Sequence, residues 1–335
     1  MIDYWLKDST WFVSVTIEIT DARGNLVRRF SSDDKPEPLN EKNFDVPMYW
    51  ARPVQTLPAT PGMHRFVWDL TYPAPEVLTR DFPMSALYHD TPLYPLGATV
   101  LPGRYTVTLT HVLSPAGPGQ MESGAVIVSF SSQPLEVRMD PRVKTSPDDL
   151  RCQFELDRKI ADALHRDYQA IQQVRSLRAQ LKPLTEENNK NAPSGQNSAN
   201  RGGSAPVASI PAEISQAAAA LESKAAALEG TEGGWATSFL STPQGRSLAR
   251  LNAGFSAVLT ALDSADAAPT TQQSEMFDEL DKALAGQLAA WNQIKTKDVP
   301  DFNELLRKAG WPSLDPQKPS EEKAGQVTSR DRDVE

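Results

Sequence analysis

The residues able to do chemistry are few and scattered. Four histidines and one cysteine serve 335 residues, which leaves too little for a His/Cys metal cluster, an iron–sulfur site or a disulfide framework. His165 follows Asp162 by three positions, so both share a helix face. A di-metal bundle needs such a pair on two helices plus Glu ligands from the others, and the helical half holds no second histidine. The pair is expected on the surface. Cys152 lies one turn into the same helix. A nucleophilic thiol needs a base and an orienting group; none is local, and a half-buried structural cysteine is expected. His64, Asp69, His89 and Asp90 could surround a serine such as Ser85, yet no Gly-x-Ser-x-Gly elbow exists. An enzyme reading would require at least two of His64, Asp69, His89, Asp90 and Arg104 to converge in one pocket. Neither Gly117-Pro118-Gly119 nor Gly202-Gly203 forms a phosphate loop between a strand and a helix. No catalytic, metal-binding or cofactor-binding residue is assigned, and no cofactor is expected.

A different constellation lies in residues 47–102, which hold ten prolines and eight aromatics. Trp50, Trp68, Tyr72, Tyr88 and Tyr94 are the candidate docking surface. Exposed aromatics beside Arg52 or Arg80 can dock another protein domain or stack on sugar rings. The plainer alternative is that they anchor long proline-stiffened loops onto a sheet. A carbohydrate site would require a coplanar row of exposed rings.

The elements that must position these rings fall into two halves, which predict an α+β protein of two domains. In residues 1–140, Val13, Val15, Ile17 and Ile19 alternate with polar residues, the period of a half-buried strand. Asp21-Ala22-Arg23-Gly24-Asn25 reads as a hairpin turn, with Gly24 free to take positive φ. Leu26 to Phe30, Met63 to Leu70, Arg104 to Thr110, Ala125 to Phe130 and Leu135 to Met139 complete a set of short strands. The pattern predicts an antiparallel Ig-like β-sandwich with long Pro/aromatic-rich loops.

Residues 141–311 predict an antiparallel bundle of three to four long helices. Ser146-Pro147-Asp148-Asp149 supplies an N-cap, a first-turn proline and two acids. Leu150, Phe154, Ala161, Leu164, Tyr168, Ile171, Val174, Leu177 and Leu181 follow at three- and four-residue steps, and Pro183 is expected to end the helix. The second helix uses Ile214, Ala217, Leu221, Ala225 and Leu228. The third starts at Thr242-Pro243 and uses Leu248, Leu251, Phe255, Val258, Leu262 and Ala265. The fourth uses Phe277, Leu280, Leu284, Leu288, Trp291 and Ile294. Residues 185–209 and 312–335 have little to bury and read as a disordered loop and tail.

The net charge of −9 opposes binding to a phosphate backbone. No run of about 18 apolar residues offers a membrane span. The opening Met1-Ile2-Asp3-Tyr4-Trp5-Leu6-Lys7-Asp8 lacks the basic and apolar regions of a signal peptide. A cytoplasmic protein is expected if the chain is complete.

Three segments in order carry a family resemblance: Val15-Thr16-Ile17-Glu18-Ile19-Thr20-Asp21-Ala22-Arg23-Gly24-Asn25, then His64-Arg65-Phe66-Val67-Trp68-Asp69, then Pro102-Gly103-Arg104-Tyr105. Together they resemble the region that follows the β-propeller in bacterial BNR-repeat, sortilin-type "glycosyl hydrolase" proteins. They are also similar to the Ig-like module of flagellar hook-capping proteins. Pro141-Arg142-Val143 with Ser146 to Leu150 resembles that family's join to a helical segment, and Asn303 to Gly310 resembles its end. The resemblance implies a non-catalytic accessory or interaction module that docks or scaffolds a propeller, in cis or in trans. It also implies a secreted or periplasmic location if the chain is part of such a longer protein. The hydrolase activity of the family label, and a carbohydrate-binding role, are the alternatives. The propeller's Ser-x-Asp-x-Gly-x-x-x-x-Trp box is absent from this sequence, so no catalytic residue transfers.

Overall fold

The computed structural model describes residues 1–7, 12–35, 47–53, 55–80, 82, 87–114, 127–190, 210–230 and 247–318. They form an α+β fold with two antiparallel sheets followed by helices. Strands β1 (Ile2–Leu6) and β4 (Gly62–Phe66) make a two-stranded sheet. Strands β2 (Phe12–Asp21), β3 (Leu26–Ser31), β5 (Gly103–Ser114) and β6 (Ile127–Val137) make a four-stranded sheet in the order β3-β2-β5-β6.

The alternation in β2 acts as its period requires. Val15, Ile17 and Ile19 are fully buried while Thr16, Glu18 and Thr20 are not. They share one core with Tyr4, Leu6 and Phe66 of the small sheet and with Val27, Trp68, Val100 and Tyr105. The β2–β3 hairpin turns on Gly24 at φ +83°, with Asp21 accepting the amide hydrogens of Arg23 and Asn25 at 2.8 Å.

Helix α1 (Pro147–Lys190) starts where expected: Ser146 Oγ accepts the Asp149 amide at 3.1 Å. It does not end at Pro183. The missing N–H leaves one carbonyl without its helical partner, yet Leu181 and Leu184 on either side are buried in the helix core, and their packing carries the helix on to Lys190. The expected loop thus loses its first six residues to α1, and 191–209 lie outside the described residues. Helix α2 (Ala212–Glu229) packs on α1. Helix α3 (Leu248–Leu262) packs on α1 as well; its expected start at Thr242-Pro243 lies outside the described residues. Helix α4 (Thr271–Gln293) is opened by a capping box between Thr270 and Gln273. A π turn at Ile294–Asp298 joins it to α5 (Val299–Lys308), which carries Pro300 in its first turn. Proline's lost donor accounts for the irregular turn before it.

The expected tail is ordered in its first residues. Leu314 exchanges two hydrogen bonds with Asn303, and Asp315 exchanges two with Gln180 of α1. Residues 319–335 lie outside the described residues. No helix is long and apolar enough to cross a membrane among the described residues.

The segment after β4 joins the two halves, and we call residues 71–80 the strap. The Tyr72 ring lies 5.5 Å from Phe154, with the Arg158 guanidinium 4.9 Å above it. Val77 and Leu78 pack against the helix core. The Leu78 amide donates to Asn252 Oδ1 at 2.9 Å, and Asn252 Nδ2 donates to Asp167 Oδ2 at 2.9 Å.

Candidate docking surface

Two loops of the proline- and aromatic-rich stretch are stapled together. The backbone of Ala51 bridges Thr91 in parallel; the Arg52 amide donates to Thr91 O at 2.9 Å and the Thr91 amide to Trp50 O at 3.1 Å. Thr91, almost fully buried, closes the second loop on itself: its hydroxyl accepts from the Leu87 amide at 2.8 Å and donates to Leu87 O at 2.7 Å. Arg52 then ties the base. Its Nε donates to Asp90 Oδ1 at 2.7 Å, and its Nη1 lies 3.8 Å from Asp69 Oδ2. Surface pairs of this kind contribute little singly, but here they add to a backbone staple.

The staple presents an aromatic cluster. Trp50 and Tyr88 meet edge to face at 5.6 Å and 87°. Tyr49 lies 5.9 Å from Trp50 and 6.3 Å from Tyr88. The His89 ring lies 4.0 Å from Tyr88, tilted 59° to it. Tyr49 is 55% exposed, Tyr88 66% and the adjacent Leu87 60%. His89 sits at φ +57°, a left-handed conformation uncommon for a residue with a side chain. Such strain persists only where surrounding contacts over-determine it, as the Thr91 and Arg52 contacts do here.

Of the five sequence-predicted docking residues, the structure brings Trp50 and Tyr88 together. Trp68 is 5% exposed; its ring packs 6.2 Å from Tyr105 and its Nε1 donates to Thr71 O at 3.0 Å. It belongs to the sheet core. Tyr72 is half-buried against α1, and burial pushes its phenol pKa up. Tyr94 is half-buried and contacts no other ring among the described residues. Tyr49 and His89 are not among those five, and sequence reading weighs His89 only for catalysis; the pairing of residues near 50 with residues near 90 brings both into the cluster.

Of the residues weighed for catalysis, His89, Asp69 and Asp90 take part in this staple and the other described ones lie away from it. His64 Nε2 lies 2.6 Å from Thr60 O, its ring 5.3 Å from Tyr4. Asp69 and Asp90 meet only through Arg52. Ser85 and Gly117 to Gly119 lie outside the described residues. Cys152 is exposed on α1 rather than half-buried. His165 does not pair with Asp162. Its Nδ1 lies 2.8 Å from Glu76 Oε2 on the strap. A surface depression of about 660 Å³ is lined by Lys159, Asp162, His165, Arg166, Phe277 and Asp281, and Arg166 within it is bound to Asp281 at 2.7 Å. No group of three His, Cys, Asp or Glu side chains gathers as for a metal among the described residues.

Comparison of the chain with protein-family models, curated proteins and solved structures gives no match.

Proposed function

We propose that this chain is a non-catalytic interaction module, an Ig-like β-sandwich over residues 1–140 followed by a helical bundle over 141–311, that docks a β-propeller of the BNR-repeat type in cis or in trans. The observation that carries this reading is the stapled cluster of Tyr49, Trp50, Tyr88 and His89. Tyr and Trp held rigid on a surface lose little entropy on binding and are the side chains most enriched at interface centres. The ring planes lie 36° to 87° apart, a knobbed relief that suits a protein partner better than the flat face of a sugar. In company with a propeller the module works outside the cytoplasm.

The test is direct binding of the full chain to a purified BNR-repeat propeller, with Trp50→Ala and Tyr88→Ala as variants. Each variant should weaken the complex at least about tenfold, the usual loss for a central aromatic anchor. Failure of the wild-type chain to bind the propeller overturns the reading. Glycan-array binding lost on Trp50→Ala would replace it with a carbohydrate-binding role.

A further inference from the structure

The contact between α1 and α3 carries acids where a helix seam ordinarily carries leucines. The two helices run antiparallel, so Asp157 of α1 meets Asp263 at the end of α3, and Asp167, about three turns further along α1, meets Asn252. Asp157 is 2% exposed, Asp167 0% and Asn252 2%. One oxygen on each acid, Asp157 Oδ1, Asp167 Oδ1 and Asp263 Oδ2, is buried with no hydrogen-bond donor. Asp157 and Asp263 lie within hydrogen-bonding reach of each other. Two carboxylates this close oppose each other's ionisation unless a cation lies between them.

Most charged groups near this seam have partners of their own. Arg158, which follows Asp157, stands over the Tyr72 ring, and its charge opposes the upward push on Asp157 without cancelling it. Glu76 of the strap is held by His165, and Asp281 of α4 by Arg166. Glu222 and Glu229 of α2 are held by Arg178 and Arg175. Asp167 receives one donated bond, from Asn252, whose other amide atom grips the strap at Leu78. The strap therefore depends on a seam that must stay closed around neutral acids.

We propose that this seam is a proton-operated latch on the strap: while Asp157 and Asp263 share one proton and Asp167 holds another, α1 and α3 stay closed and Asn252 holds Leu78, and loss of those protons to water parts the helices and frees the strap. The direction follows from linkage. The opened acids regain the ordinary carboxylate affinity, so opening releases protons, and its population rises with pH by up to about tenfold per unit for each proton released. Burial is the first cause that keeps all three acids protonated above the usual carboxylate range, and for Asp157 the facing Asp263 is the second.

Hydrogen exchange of the full chain, corrected for the intrinsic pH dependence of exchange, reads the latch at the strap and along α3. Between pH 5.5 and 8 the protection of the strap in the wild type should fall at least about tenfold. In Asp157→Asn/Asp167→Asn, where neutral amides stand in for the protonated acids, it should stay within about twofold. Should the double variant not fold, Asp157→Asn alone carries the test, since its amide donates to ionised Asp263 and should remove part of the fall. Strap protection unchanged with pH in the wild type, or falling as steeply in the folded variant, overturns the latch.

Discussion

Glu76 Oε2 and His165 Nδ1 lie 2.8 Å apart although 89 residues separate them. The contact marks the outer rim of the place where the strap crosses onto the helices. Two residues further along the strap, the inner contact runs from Leu78 through Asn252 to Asp167. The two differ in burial: both partners of the rim pair are 55% exposed, while Asn252 and Asp167 are buried.

That difference sets a ranking. His165→Ala should change the free energy of unfolding by less than about 1 kcal/mol, as exposed pairs do. Asn252→Ala strands both the Leu78 N–H and the second oxygen of Asp167 in the interior, and should cost about 2–4 kcal/mol. Urea denaturation of the two variants measures this, and a larger loss for His165→Ala would invert the assignment of inner and outer contacts.

Asp167 makes stability depend on pH in a definite sense. Burial raises its pKa to about 7, against 3.8 when solvated. The unfolded chain therefore ionises first as pH rises, and the contribution of this acid to stability is whole below about pH 4, declines from there to about pH 7, and stays lost above it. At about 1.4 kcal/mol per pH unit the full span is on the order of 4 kcal/mol. Asp167→Asn should flatten the decline, gaining on the wild type at pH 8 relative to pH 4.5; parallel melting curves for the two proteins at both pH values would refute this.

Trp50 and Trp68 separate docking from folding. Trp68→Ala empties part of the sheet core and should cost about 3–5 kcal/mol. Trp50→Ala removes a half-buried ring from a loop already closed by Thr91 and should cost less than about 1.5 kcal/mol, while it should weaken partner binding at least about tenfold. Thermal unfolding of both variants, read beside the binding assay, checks the pair.

Glu229 is almost fully buried and accepts from Arg175 at 2.7 Å and from Arg178 at 2.6 Å. Arg178→Ala removes one of its two cations and also one partner of Glu222. It should destabilise by about 3 kcal/mol, the lower end for breaking a buried pair, since Arg175 remains. Replacing Arg178 and Glu229 together with leucines should recover most of that loss; a double variant as unstable as Arg178→Ala would show that the pair stabilises beyond packing.

Much of this arrangement is legible in local pattern. The period of two in β2 and the Ser146-Pro147 start of α1 act over a few residues, and their outcome follows from them. Pro183 shows where local rules stop: its helix-breaking tendency is outweighed by the burial of Leu181 and Leu184, which only the tertiary structure displays. Asp157 and Asp167 did leave a trace. They fall in step with Ile160, Leu164, Ile171 and Val174 at three- and four-residue intervals, so an apolar stripe read by spacing alone would have included them. Residue type, acidic and therefore assumed solvated, hid them. The aromatic cluster left less, because the pairing of Trp50 with Tyr88 is set by the Ala51–Thr91 staple and by no sequence interval.

Helix α1 is unbroken for 44 residues, roughly 66 Å at the usual rise. Along that single shaft hang the strap near its start, α2, α3 and α4 through its middle, and the carboxy-terminal segment at Gln180. A tug on the sheet half enters this mast at Tyr72 and Glu76 and reaches residues 314–318 without crossing a joint. Any tension a partner applies at the aromatic loops would be borne by one rod in bending, so that the far end responds as the tip of a lever.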